Sequence, residues 1–269
     1  MNAFKLHLCM LLSLSATHWS RKKARQVGPK RAFVTENLFK LDTLPDSSWV
    51  LDWSFAVVPL VVGGTVVWAI RRTSGPSAGI WAGFTLALWL ILTAGLAGSG
   101  FLDQWNPPRM LLLFASILIF LLWSARQPWT QRLGDLSLKW LVGFQAFRIA
   151  VEVMLHEAVL EGLANPTITW TGTNFDILPG ISALLLCPFA NKLKPQNLQV
   201  WNVAMAIILV FTVVTAILAA PTPFRQIGGT PANIFFARFP FVWLPGVLVT
   251  SAWLGHIVLF RRLRRNPGP

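Results

Sequence analysis

Apolar runs near twenty residues recur along this chain, separated by short stretches in which basic residues cluster. A helix needs about 20 predominantly apolar residues to cross a bilayer core of roughly 30 Å. The pattern predicts seven such helices, at 53–72, 78–98, 108–125, 138–162, 176–191, 197–219 and 239–260. The expected fold class is therefore all-α, a polytopic transmembrane helix bundle filling residues 51–265.

Segment 138–162 breaks the apolar rule in an ordered way. Gln145, Arg148, Glu152 and His156 recur at helical spacing and share roughly 80° of arc on one face. The residues between them are largely apolar, among them Phe147, Ile149, Val151, Val153, Met154 and Leu155. Ionisable groups at bilayer depth are costly and turn inward to partners, so this stripe is where function is to be sought. Measured from Lys139, a rise of about 1.5 Å per residue puts Arg148 about 13 Å in, Glu152 about 19 Å and His156 about 25 Å. The i, i+4 spacing allows Arg148 to pair with Glu152, and Glu152 to orient His156. An internal ion pair that only locks neighbouring helices is the plain alternative.

The following loop, 163–175, contains Thr167-Ile168-Thr169-Trp170-Thr171-Gly172, which reads as an extended piece ending in a glycine turn. Asp176 then stands at the start of the fifth span, with Pro179 in its first turn, as an N-cap would. A sharper expectation is that the loop folds back and brings Asn174 and Asp176 beside His156. Glu157 and Glu161 add carboxylates near that end but point away from His156. The cluster is weak as a metal signature, and no metal or cofactor is expected. His256, in the last span, is expected far below His156, near the basic flank of Arg261 and Arg262, as an interfacial residue.

Composition agrees with the span pattern. The chain is 54% hydrophobic and 12% charged, with mean hydropathy +0.57, which is the membrane class. Its net charge of +13 would suit nucleic acid, but the basic residues border apolar runs. That is a topology signal, and nucleic-acid binding is discounted. Arg71, Arg72, Arg126, Arg132, Lys139, Lys192, Lys194, Arg261, Arg262, Arg264 and Arg265 flank one side of the spans. Lys40, Arg109, Arg225 and Arg238 flank the other. The positive-inside rule then predicts a multi-pass protein of a bacterial inner (cytoplasmic) membrane, with its carboxy terminus in the cytoplasm. Trp68, Trp81, Trp123, Trp140 and Trp201 fall near the cytoplasmic boundary and Trp53 and Trp243 near the outer one, as interfacial rings do.

Cys9 and Cys187 are the two cysteines and Tyr is absent, which leaves no disulfide framework and no phenolic proton relay. Residues 1–50 fit the bundle poorly. Phe4–Thr17 is too short to span and precedes Arg21-Lys22-Lys23, so a disordered tail or an over-early start codon is expected there.

The run Gln145-Ala146-Phe147-Arg148-Ile149-Ala150-Val151-Glu152, followed by Gly162, Pro166 and Gly172-Thr173-Asn174-Phe175-Asp176-Ile177, resembles a family of bacterial multi-spanning membrane proteins with an F-R-x3-E … G-x-N-F-D-I signature. The ending Phe239-Pro240-Phe241-Val242-Trp243-Leu244-Pro245 with His256 looks like that family's ending. The resemblance covers roughly the last six spans. It implies that Arg148, Glu152, Asn174 and Asp176 belong to one site, and implies no activity.

The expected function is small-solute or ion-coupled transport through the polar site of the fourth span, with the bilayer and a small solute or ion as partners. A membrane-embedded enzyme on a lipid-like substrate is the alternative. It ranks lower because no nucleophile elbow, His-Glu-x-x-His or phosphate loop is present. A structural or accessory subunit without chemistry is the third reading.

Overall fold

The computed structural model describes residues 44–105 and 107–265, and every regular element among them is helical. The one β contact there is an isolated bridge between Trp105 and Pro108. Of the expected amino-terminal tail, 1–50, the part up to residue 43 lies outside the described residues, and Trp49 and Val50 belong to the first helix.

Four helical stretches are long and apolar enough to cross a membrane: α1 (Trp49–Ser74), α2 (Pro76–Gly98), α8 (Pro195–Ala219) and Leu244–Arg265. By that criterion the chain is a multi-pass membrane protein. Helix α1 begins where the Ser48 hydroxyl accepts the Leu51 N–H at 3.2 Å, satisfying one of the donors a helix start leaves free. It stops at Gly75, whose φ of 95° is open to glycine and costly for other residues. Pro76 follows at the head of α2, where a missing N–H costs nothing, and the two helices pack as a hairpin.

The other expected spans are shorter or interrupted. Helix α3 covers Met110–Ser124 and α4 the short piece Pro128–Leu133. Segment 138–162 is not one helix but two: α5 (Leu138–Gly143), a 3-10 turn at Phe144–Ala146, and α6 (Phe147–Leu160). Helix α7 (Ile177–Leu186) passes into a 3-10 turn at Cys187–Phe189, where Pro188 has no N–H to continue the ladder.

The last crossing opens with a π turn, Leu244–Val249, and continues as α9 (Thr250–Arg265). Wide turns of this kind leave carbonyls free for other donors. Here Trp89 of α2 donates its indole N–H to Gly246 O at 3.0 Å, and Trp243 donates to Leu90 O at 3.2 Å. Trp243 is thus a buried clamp, not the interfacial ring its sequence position suggested. Trp53, Trp68, Trp81 and Trp123 do lie exposed on the outside of the bundle.

The Leu244–Arg265 stretch is the centre of the assembly. Of its apolar window 67% is buried, against 33% or less for the other three long helices. Those helices turn large residues such as Ile80, Ile91 and Ile207 outward, which costs nothing against lipid. A polar group on α9 must therefore find its partners inside the protein.

Candidate functional site

Helix α6 supplies Arg148 and Glu152, and both are buried, at 1% and 0% exposure. Helix α7 approaches α6 closely because position 180 is glycine: a Cβ there would lie 2.7 Å from Ile149 Cγ1 and 2.9 Å from Ile149 N. That approach sets Asp176, at the head of α7, against the guanidinium. Arg148 donates from Nε to Asp176 Oδ2 at 2.9 Å and from Nη2 to Asp176 Oδ1. The pair is bidentate, the strong geometry for arginine and a carboxylate.

The third arm of the guanidinium reaches α9. Arg148 Nη1 lies 3.2 Å from His256 Nε2. Arginine only donates, so Nε2 accepts and the ring proton sits on Nδ1. That proton goes to Asn202 Oδ1 of α8 at 2.9 Å, and Asn202 Nδ2 donates back to the His256 carbonyl at 3.1 Å. His256 is consequently neutral, buried and central, not an interfacial residue.

The loop 163–175 completes the site from the other end. Asn165 starts a 3-10 turn at Pro166–Ile168 by accepting the Thr167 N–H. It is anchored in turn by Asn233 Oδ1, which accepts its backbone N–H at 3.1 Å. The threonines make local bonds, with Thr169 Oγ1 2.8 Å from Thr171 Oγ1. Such side-chain bonds compete with extended structure, and the expected extended piece does not form.

The loop does fold back onto α6. Asn174 Nδ2 donates to Glu152 Oε1 at 2.5 Å and to Ile168 O at 2.7 Å. Asn174 Oδ1 accepts the Asp176 N–H at 2.9 Å and the Thr212 hydroxyl at 2.7 Å. The same hydroxyl lies 3.3 Å from Asp176 Oδ1. Asp176 occupies the N-cap position of α7 but makes no capping bond with its side chain; its carboxylate serves Arg148 instead.

Arg148, Glu152, Asn174 and Asp176 thus meet in one buried network, joined by Thr212, Asn202 and His256, which sequence reasoning left out. On α8, Asn202 to Thr212 is roughly 15 Å at about 1.5 Å per residue, about half the hydrocarbon core. Two expected members stand apart. His156 stacks on Trp170, ring centroids 4.5 Å apart, with no bond to Asn174 or Asp176. Gln145 donates to Ala252 O at 3.1 Å across the gap left by Gly255, and its Oε1 is buried without a partner. Glu157 is exposed, and Glu161 accepts the Ser48 N–H at 2.8 Å, so neither joins the network.

The expected Arg148–Glu152 pair is replaced by Arg148–Asp176. One carboxylate oxygen of Glu152, Oε2, is buried without a close hydrogen-bond partner, and the Trp170 backbone N–H approaches the carboxyl group without reaching hydrogen-bond geometry. With His256 neutral, the network holds one cationic side chain and two carboxyl groups. Among the described residues no three His, Cys, Asp or Glu side chains converge as a metal site. No known protein family, curated protein or solved structure matches the chain, so the resemblance to a bacterial membrane-protein family gains no support from these comparisons.

Proposed function

We propose that the chain is a small-solute or ion-coupled transporter, in which Glu152 is the group that takes up and releases the coupling cation. The observation that carries this reading is the unpartnered Oε2 of a wholly buried Glu152 beside an Arg148 already committed to Asp176. A buried carboxyl group without a counter-charge is balanced by a proton or a small cation, and intramembrane acids in such surroundings mark ion pathways. Arg148 and Asp176 hold the frame, and Asn174 orients the acid.

The same reading takes the short and interrupted helices α3, α5–α6 and α7 as crossings, giving seven in all. The basic flank at Arg261–Arg265 faces the cytoplasm of a bacterium under the positive-inside rule. Interrupted helices beside a polar midplane site are a recurring feature of secondary transporters.

Proteoliposomes with a trapped pH-sensitive dye test the proposal, with proton and sodium gradients as the driving forces. The wild-type chain is expected to dissipate one of them, and Glu152→Gln to lose that flux while remaining folded. Flux that is absent in the wild type under both gradients, or unchanged in Glu152→Gln, overturns the reading. A purely structural role is the second reading, and the bidentate Arg148–Asp176 tie between α6 and α7 favours it. It requires that neither cation shift the unfolding of the purified protein.

A further inference from the structure

A cavity of about 820 Å³ lies between α8, α9 and the end of α3, within the roughly 300–1,000 Å³ range of ligand pockets. Its walls change character along its length. Val203, Ile207 and Val210 of α8 face Trp253, Ile257 and Phe260 of α9, and the three α8 residues are 41%, 62% and 45% exposed. At the far end stand Arg261, Arg264 and Arg265, and no acidic residue lines the cavity.

The three arginines are unequally occupied. Arg265 donates to Gln131 O and Oε1 at 3.1 and 2.8 Å. Arg264 lies over the Phe260 ring at 5.5 Å. Arg261 Nη1 is buried and has no hydrogen-bond partner. A buried guanidinium N–H without an acceptor is a costly arrangement that a bound anion relieves.

We propose that this groove is a binding site for an anionic glycerophospholipid of the surrounding bilayer. Its phosphodiester meets Arg261 and Arg264, and an acyl chain lies along Val203, Ile207 and Val210. Basic pockets between membrane helices recognise anionic headgroups by this chemistry. The apolar walls select a lipid over free phosphate, and the arginine cluster selects a net negative head over a zwitterionic one. The inference stands apart from the transport reading, although His256 and Asn202 form part of the groove wall.

The test uses the full chain in detergent, with native mass spectrometry and thermal unfolding as readouts. Added phosphatidylglycerol is expected to remain bound and to raise the unfolding midpoint by several degrees, whereas phosphatidylcholine and inorganic phosphate at equal concentration do neither. Arg261→Gln with Arg264→Gln should weaken phosphatidylglycerol binding at least tenfold. Ile207→Trp, which fills the apolar part from an exposed position, should weaken it comparably without touching the arginines. Arg126→Gln, basic but outside the groove, should leave it unchanged. Equal retention of phosphatidylcholine, an equal response to phosphate, or undiminished binding in both groove variants overturns the proposal.

Discussion

Two carboxyl groups flank Arg148, and the structure assigns them opposite energetic roles. Asp176→Asn removes the bidentate partner of a guanidinium that is 1% exposed. Breaking a buried pair by deleting one charge costs about 3–5 kcal/mol, because the remaining charge stays desolvated. Glu152→Gln removes no ion-pair partner. The amide oxygen keeps the bond from Asn174 Nδ2, and the amide nitrogen takes the place of an oxygen that already lacks a partner. The penalty of about 1–3 kcal/mol for one unsatisfied buried group is then present before and after, and the net change stays within about 1 kcal/mol. The two variants should differ by about 3 kcal/mol, Asp176→Asn being the weaker. Unfolding in mixed micelles, followed by the fluorescence of the 14 tryptophans, measures the difference. Arg148→Met with Asp176→Leu, which deletes both charges, should recover most of the loss. If Glu152→Gln proves as damaging as Asp176→Asn, the guanidinium is paired with Glu152 and the two carboxyl groups do not differ in role.

Gly180→Ala should destabilise by about 1–3 kcal/mol despite the better helix former, since its methyl group meets the Ile149 backbone nitrogen; micelle unfolding checks it. His256→Phe strands both Arg148 Nη1 and Asn202 Oδ1 and should cost at least about 1–3 kcal/mol, and His256→Asn, whose amide carries an acceptor and a donor, should cost less in the same unfolding measurement. His156→Ala removes only the Trp170 stack, worth about 0.5–1.5 kcal/mol, and should leave any cation flux at the wild-type rate; a lost flux would return His156 to the site. Asn233→Ala frees the Asn165 N–H and should speed proteolysis within 163–175, read by peptide mass mapping.

The helical class and the location of the polar site were legible because apolar run length and a charged stripe are local properties. Arg148, Glu152, Asn174 and Asp176 are linked by hydrogen bonds. Partner choice was not legible. Spacing of i, i+4 permits Arg148–Glu152, but Gly180 lets α7 approach closely enough for Asp176 to take the guanidinium in two bonds. His256 was misplaced by an error in helix bounds. A span opening at 239 sets it near the basic edge, whereas the last helical stretch opens at Leu244, which shortens the count from the outer end by about 7–8 Å at 1.5 Å per residue. His256 Nε2 lies beside Arg148 Nη1. The failed extended reading of 167–172 has another cause: threonine hydroxyls bonding locally in a loop whose ends are already fixed by Asn165 and Asn174.

The three-way grip of Arg148 has an evolutionary consequence. Its guanidinium serves Asp176 and His256 at once, and His256 sets its tautomer through Asn202, so no single replacement at 148, 176 or 256 leaves the others satisfied. Descendants of this chain should therefore change these positions together or keep them together, while position 156 drifts freely.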